Sequence, residues 1–260
     1  YDGQWVNDKR TGYGIYTYLN GDLYEGYFTD GQRNGQGTFR YKTGDIYEGG
    51  WVLGQKDGDG NYFFVNGDSY TGKWVKDQRN GNGVFNFADG RMYEGNFVNS
   101  RIKGDGTYIY PDGRRYTGYW INDKMDGYGT FEDLKGNRYE GNWKDDAYHG
   151  SGNFYYANGD IYKGEWKSNE FEGKGTFTDL DGNKYTGSWV QGMKNGQGVL
   201  YNYNTEKYIG NWFKDMKHGD GIQIYANGDK YEGEWKNNKY EGKGTFIDLD
   251  VNKYTGSWLQ

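Results

Sequence analysis

The sequence predicts an all-β chain: an elongated single antiparallel sheet built from twelve tandem 23-residue β-hairpin units, the last truncated. Three observations predict it. Tyrosine recurs at Tyr1, Tyr24, Tyr47, Tyr70, Tyr93, Tyr116, Tyr139, Tyr162, Tyr185, Tyr208, Tyr231 and Tyr254, 23 residues apart every time. An unbroken period of that length marks a repeat architecture. Aromatic residues make up 20% of the 260 residues while only 33% are hydrophobic, so a core of rings must offset the chain entropy that aliphatic burial offsets elsewhere. Within a unit, rings and glycines alternate with other residues at period two, the side-chain period of a strand.

Numbering each unit from its tyrosine gives the elements in order. Position 3 is glycine, from Gly3 to Gly256, and position 5 holds all ten tryptophans, with Phe28 and Phe97 filling the other two copies. Positions 1, 3 and 5 therefore read as one face of a first strand. A polar segment at 7–11 supplies a turn. Positions 12 and 14 are glycine in all eleven complete units, and 16 and 18 are mostly aromatic, which gives a second strand. Position 21 is glycine in nine units, in four of them within Asn-Gly-Asp, a second turn. Glycine this frequent, with no 3.6-residue period, excludes helix. Those four positions hold all but four of the 47 glycines, so the composition follows from the repeat. Residues 160–191 and 229–260 are close copies 69 residues apart, which points to duplication of a three-unit block.

Opposed residues in an antiparallel pair share a face, and large-against-small pairing suggests a register. Position 5 opposite 14 puts 3 opposite 16 and 1 opposite 18, with a four-residue tip at 8–11 and the same pairings to the next unit. Every tryptophan then faces glycine on both neighbouring strands. Tyr148, His149 and His218 fall at tips. Extra rings at Tyr27, Tyr119, Tyr148, Phe171 and Tyr240 lie off the core positions. At ~4.8 Å between strands, eleven units would extend roughly 105 Å. Free strand edges at the array ends would favour self-association. The chain begins at Tyr1 without methionine and ends at Gln260 inside a unit, so residues 1–260 read as one repeat domain excerpted from a longer chain.

The pattern Tyr-x-Gly-x-Trp, Gly-x-Gly-x-(Phe/Tyr), Asn-Gly-Asp resembles the MORN (membrane occupation and recognition nexus) repeat. "YEGNWKDDAYHGSGNFYYANGDIYKGEW" at 139–166 matches it almost position for position, and the match covers essentially the whole chain. The resemblance implies an elongated hairpin array. Such arrays occur in cytoskeletal scaffolds, in radial-spoke heads of cilia, in junction proteins linking membranes, and beside lipid kinases or methyltransferases. It also implies an aromatic groove for a partner's helix or extended segment, carried here by Tyr139, Trp143, Phe154, Tyr156, Tyr162, Trp166, Phe177, Tyr185 and Trp189.

Other chemistry finds little support. The absence of cysteine removes disulfides and thiol catalysis and suits a reducing compartment. Gly-x-Gly never opens a helix after a strand, so it offers phosphate no helix terminus. "DLDGN" at 179–183 resembles the start of a calcium loop but lacks its later glycine and glutamate; Asp133, Asp179 and Asp248 read instead as turn caps. His149 and His218 are too far apart to share a metal, and no hydrolase constellation appears. Thirty-one basic residues diluted among 37 acidic ones, net charge −6, disfavour direct lipid binding and nucleic acid. Units 9 and 10 depart from the pattern at Leu200, Asn202, Thr205 and Gln223, which suggests local loosening or a partner-specific contact. The expectation is a cytoplasmic, cytoskeleton- or cilium-associated scaffold without cofactor, metal or catalytic residues, binding a protein partner. The alternatives are a phospholipid-binding adaptor and an accessory array of a larger enzyme.

Overall fold

The fold, described over residues 1–259 from a computed structural model, is all-β: 23 antiparallel strands and no helix among the described residues. Each repeat contributes two strands. A seven-residue strand runs from position 23 of the preceding unit to position 6, as in Arg138–Lys144, and a nine-residue strand covers positions 9 to 17, as in Ala147–Tyr155. The chain divides into two compact units, Tyr1–Gly127 and Tyr128–Gln260. In the first, strands from Asp2–Val6 to Arg115–Ile121 pair in sequence order. In the second, strands from Arg138–Lys144 to Lys253–Trp258 do the same.

The register differs from the expected one by two residues. Between repeats, Gly150 opposes Trp166, Gly152 opposes Gly164 and Phe154 opposes Tyr162, so position 5 meets 12, 3 meets 14 and 1 meets 16. Within a repeat, Gly164 opposes Gly175 but Glu165 opposes Glu172 and Trp166 opposes Phe171. Two residues of the longer strand, at positions 12 and 13, are therefore bulged out. The bulge turns at the position-12 glycine, which has φ +61° at Gly173. A side chain is strained in that left-handed region, hence glycine.

The bulge shortens the hairpin tip to two residues at positions 7 and 8, both with positive φ: 49° and 68° at Asp145 and Asp146, 51° and 69° at Ser168 and Asn169. That is the mirror-image turn whose twist matches the strands it joins. His149 and His218 consequently lie inside the long strands Ala147–Tyr155 and Met216–Ile224, half-buried, and Tyr148 lies inside the first of these, not at a tip. The other turn, at 18–22, is closed by its own backbone: Tyr156 N–H donates to Asp160 O, and Gly159 N–H to Tyr156 O, both at 2.9 Å.

Side chains tie successive turns together. Asp160 Oδ1 accepts from Leu180 N–H at 2.9 Å, one repeat on, and Asp22, Asp45 and Asp68 make the same bond at 2.8 Å. Near the tips, Asn169 Oδ1 accepts from Tyr148 N–H and Asp215 Oδ1 from Lys194 N–H. Asp133, Asp179 and Asp248 cap their own turns through backbone N–H groups and the side-chain amide of Asn137, Asn183 or Asn252, the role their sequence position suggested. In unit 9, Thr205 stands where most units have glycine and carries φ 74°.

Candidate partner-binding site

One face of each unit is a ladder of rings. The position-1 tyrosine lies flat over the glycines at 3 and 14: a Cβ on Gly164 would come within 2.6 Å of Tyr162 Oη. The phenol crosses that gap and donates to a backbone carbonyl, Tyr139 Oη to Asn142 O at 2.8 Å and Tyr162 Oη to Glu165 O at 3.0 Å. The position-5 tryptophan stands edge-on between its own tyrosine and the preceding one. Trp166 lies 5.1 Å from Tyr162 at 84° and 5.4 Å from Tyr139 at 88°. Its Nε1 donates to Gly152 O at 3.0 Å, so glycine both admits the indole and accepts its proton. Edge-to-face geometry adds to burial because a positive ring edge meets a negative face.

Burial raises the phenol pKa along this ladder. Tyr70 is pushed up to about 12, and Tyr139's neighbour Tyr162 further still, because a phenolate would lose its hydration.

Sequence reasoning missed the lid over this ladder. Position 10 pairs with position 5 on the ring face, and in the first four repeats it supplies cations, followed by the apolar Ile102 and Met125. The Arg33 guanidinium sits 4.1 Å from the Trp51 ring and donates to Gly54 O at 2.5 Å. Arg10, Lys56 and Arg79 cover rings in the same way. In the second unit, rings take over at three copies. Tyr148 stacks on Tyr139 at 3.8 Å and 19°, Phe171 on Tyr162 at 3.6 Å and 9°, and Tyr240 on Tyr231 at 3.7 Å and 15°. These three extra rings are thus part of the packing, and a tryptophan faces glycine on one side only. Lys194 and Lys217 return to the cation, their pKa lowered chiefly by burial. The signal was present in the sequence as a row of cationic, aromatic or apolar side chains at position 10. It becomes readable only once the tip is placed at 7–8.

The proposed groove residues divide by exposure. Tyr139, Tyr162 and Tyr185 are buried, as are Trp143, Trp166 and Trp189. Phe154, Tyr156 and Phe177 are half-buried. They form a second row beside the ladder, with Phe154 4.5 Å from Tyr156 and Tyr156 6.2 Å from Phe177. The row is interrupted at Leu200, Asn202 and Gln223, and at the turn-capping Asp133, Asp179 and Asp248, which also stand where other repeats carry a ring. Gln223 is buried and accepts from Lys217 Nζ at 2.5 Å, filling with a polar pair the place a ring holds elsewhere.

The opposite face carries positions 2, 4, 13 and 15 and holds open troughs running along the glycine rows. Tyr27 and Tyr119 point to this face and are exposed. Among the described residues no group of three or more His, Cys, Asp or Glu side chains is placed to hold a metal ion, and no helix is long and apolar enough to cross a membrane.

The family model for the MORN repeat matches residues 1–23, 24–46, 47–69, 70–90, 93–114, 116–138, 139–161, 162–184, 185–204, 208–230 and 231–248. No curated protein matches the chain. Among solved structures, the chain is similar to the TCP domain of Drosophila melanogaster SAS-4 (dCPAP) in complex with a proline-rich motif of Ana2 (dSTIL). The identity is 17% and the TM-score 0.38, over 59% of this chain and 84% of that one. The TCP10 domain of Danio rerio CPAP is similar at 10% identity and a TM-score of 0.28, over 94% of this chain and 99% of that one.

Proposed function

The chain belongs to the MORN repeat family, and on that premise we propose that it is a non-enzymatic scaffold whose ring face holds a helical or extended segment of a protein partner within a cytoskeletal or ciliary assembly. Repeats of this kind build an extended interaction surface from small, equivalent parts. The observation that supports the ring face is the half-exposed row of Phe154, Tyr156 and Phe177 beside a buried ladder. Partly exposed aromatics held on rigid strands offer contact area at low entropic cost, which is why rings are enriched at interfaces. Trp166, 5% exposed, lies 6.0 Å from Phe154 in that row and offers a partner little surface of its own.

The test is a double substitution, Tyr156→Ser with Phe177→Ser, which trims the row and leaves the ladder. Capture of the partner from the native source should fall at least tenfold; the thermal midpoint should drop because two half-buried rings are lost, while circular dichroism at the assay temperature stays that of the folded sheet. Undiminished capture by the folded variant overturns the assignment. Salt-sensitive co-sedimentation with anionic vesicles at wild-type strength would favour the phospholipid-adaptor reading instead.

A further inference from the structure

The face opposite the ladder is not uniform in charge. In the unit Tyr1–Gly127, a trough of about 690 Å³ runs over Gly37, Gly49 and Gly60 between Glu25, Glu48 and Asp59. A second, of about 870 Å³, shares Thr71 and Gly72 with the first and continues past Glu94 and Asp105. Neither has lysine or arginine in its lining; Lys73, opposite Asp59 across the strands, lines neither. At one mouth, Tyr13 and Tyr27 face each other across adjacent strands with rings 5.4 Å apart at 79°. They are 53% and 50% exposed, and Tyr13 Oη donates to Glu25 Oε1 at 2.8 Å. In the unit Tyr128–Gln260, a trough of about 540 Å³ is lined by Lys163, Lys174, Val199 and Ile209 with no carboxylate. The fold therefore does not require an acidic lining, and neither does the ladder, whose side chains point the other way.

We propose that this face of the first unit docks an extended, lysine- and arginine-rich segment of a partner protein. One cation lies against the Tyr13 and Tyr27 rings beside Glu25, and further basic side chains reach Glu48, Asp59, Glu94 and Asp105. An exposed, perpendicular pair of rings next to a carboxylate suits an ammonium or guanidinium, which gains ring-quadrupole and Coulomb attraction together. The carboxylates sit on different strands, so they are spaced along a line and do not converge on one point; a row of charges matches a chain and not a single ion. The strand Leu23–Thr29, bearing Glu25, and the strand Arg101–Ile109, bearing Asp105, are seven strand steps apart. At ~4.8 Å per step that is roughly 34 Å, the reach of about ten extended residues. The surface is built only from residues of the first unit and shares none with the row of Tyr156 and Phe177, so its failure and that of the ring-face reading are separable.

The experiment is fluorescence anisotropy of a labelled ten-residue peptide of alternating lysine and serine, titrated with the full chain at low and at physiological salt. Wild type should bind, more weakly as salt rises. Glu48→Lys with Asp59→Lys should weaken binding at least tenfold, and Tyr13→Ala with Tyr27→Ala at least threefold. All four side chains are exposed, so circular dichroism should be unchanged. Glu170→Lys with Glu232→Lys, the same change of net charge elsewhere, should leave binding within twofold. Equal weakening by both charge-reversed pairs, or no weakening by the Glu48 and Asp59 pair, overturns the proposal. So does displacement of the peptide by spermine at equal charge concentration, which would reduce the site to non-specific attraction of cations.

Discussion

Replacing Trp166 by alanine should loosen repeats 7 and 8 and leave distant repeats intact. Trp166 is 5% exposed and contacts Tyr139, Tyr148, Phe154, Tyr162 and Phe171 at ring-centroid distances between 4.8 and 6.0 Å. Removing a buried tryptophan costs about 3–5 kcal/mol. That figure includes the bond from Nε1 to Gly152 O, which accounts for about 1 kcal/mol. Phenylalanine is a sharper control than alanine because the molecule already uses it: Phe28 and Phe97 occupy the equivalent place at 3% and 2% exposure. Trp166→Phe keeps the edge-to-face contacts and loses the hydrogen bond and some area. The two variants should therefore differ by about 2–3 kcal/mol.

Native-state hydrogen exchange reads this locally, because a repeat sheet opens in pieces and each piece is held by its neighbours. Amides of the strands Ala147–Tyr155 and Ile161–Lys167 should exchange about a hundredfold faster or more in Trp166→Ala, since each ~1.4 kcal/mol is a factor of ten. In Trp166→Phe the acceleration should be about tenfold. Amides in the strands Leu23–Thr29 and Gln32–Arg40 should not change in either. The reasoning is refuted if phenylalanine is as damaging as alanine, or if acceleration spreads evenly along the chain. The first would mean that the ring contacts carry little; the second, that the array unfolds as one cooperative body.

Two further outcomes follow from the same geometry. Burial holds the ladder tyrosines protonated: Tyr70 is pushed up to about 12 from 10, and Tyr24, Tyr47 and Tyr93 are raised further. A raised acid pKa means the folded state keeps protons that the unfolded state releases, so this stability is intact below pH 10 and falls as pH climbs through the folded values. Alkaline titration should show phenolate absorbance lagging behind free tyrosine above pH 10, then rising together with loss of the β-sheet signal; early ionisation without unfolding would count against it. Thr205 sits at φ 74° where most units have glycine, a conformation that costs a β-branched residue about 1–2 kcal/mol. Thr205→Gly should stabilise the protein by about 0.5–1 kcal/mol after glycine's larger chain entropy is deducted, measured by urea denaturation, while Gly182→Thr should destabilise it.

Strand number, facing and the glycine-under-ring packing were legible because each rests on a period-two pattern repeated eleven times. The capping aspartates Asp133, Asp179 and Asp248 were legible because a short carboxylate beside a turn has few other uses. The register was not. Positions 12 and 14 are both glycine for different reasons: Gly173 for its positive φ, Gly175 for the space Tyr162 fills. Nothing in composition separates a glycine needed for conformation from one needed for volume. The tip was hidden for a related reason. Leu53, Lys76 and Lys214 adopt φ near +48° there, and such residues do not advertise a mirror-image turn. Their conformation is imposed by the ladder on either side, a tertiary effect that overrides local preference. Misplacing the tip by two residues then concealed the position-10 lid, and with it the role of Arg33 and Tyr148.

The two faces of the sheet are under different constraints, and this bears on where specificity lies. Positions 1, 3, 5 and 14 are locked together: tyrosine needs the glycines, tryptophan needs the tyrosines and a glycine carbonyl. They are nearly invariant among the copies and so cannot distinguish one repeat from the next. Position 13, on the other face, reads Tyr13, Gln36, Asp59, Asn82, Asp105 and Tyr128, then Ser151, Lys174, Gln197, Asp220 and Lys243. Its side chains stand on strands already held by the ladder, so acid, base, amide or ring can be exchanged at little cost to the fold. A scaffold built from near-identical units can address a particular segment only through the positions that differ. On this sheet those are the half-exposed rings, with their gaps at Leu200, Asn202, Gln223 and the three capping aspartates, and the variable rows opposite. The ring row offers apolar contact of similar kind at successive copies, whereas the rows opposite differ in sign and shape from repeat to repeat. If the chain docks protein segments as proposed, discrimination between them should rest more on the face that packing leaves free than on the ladder.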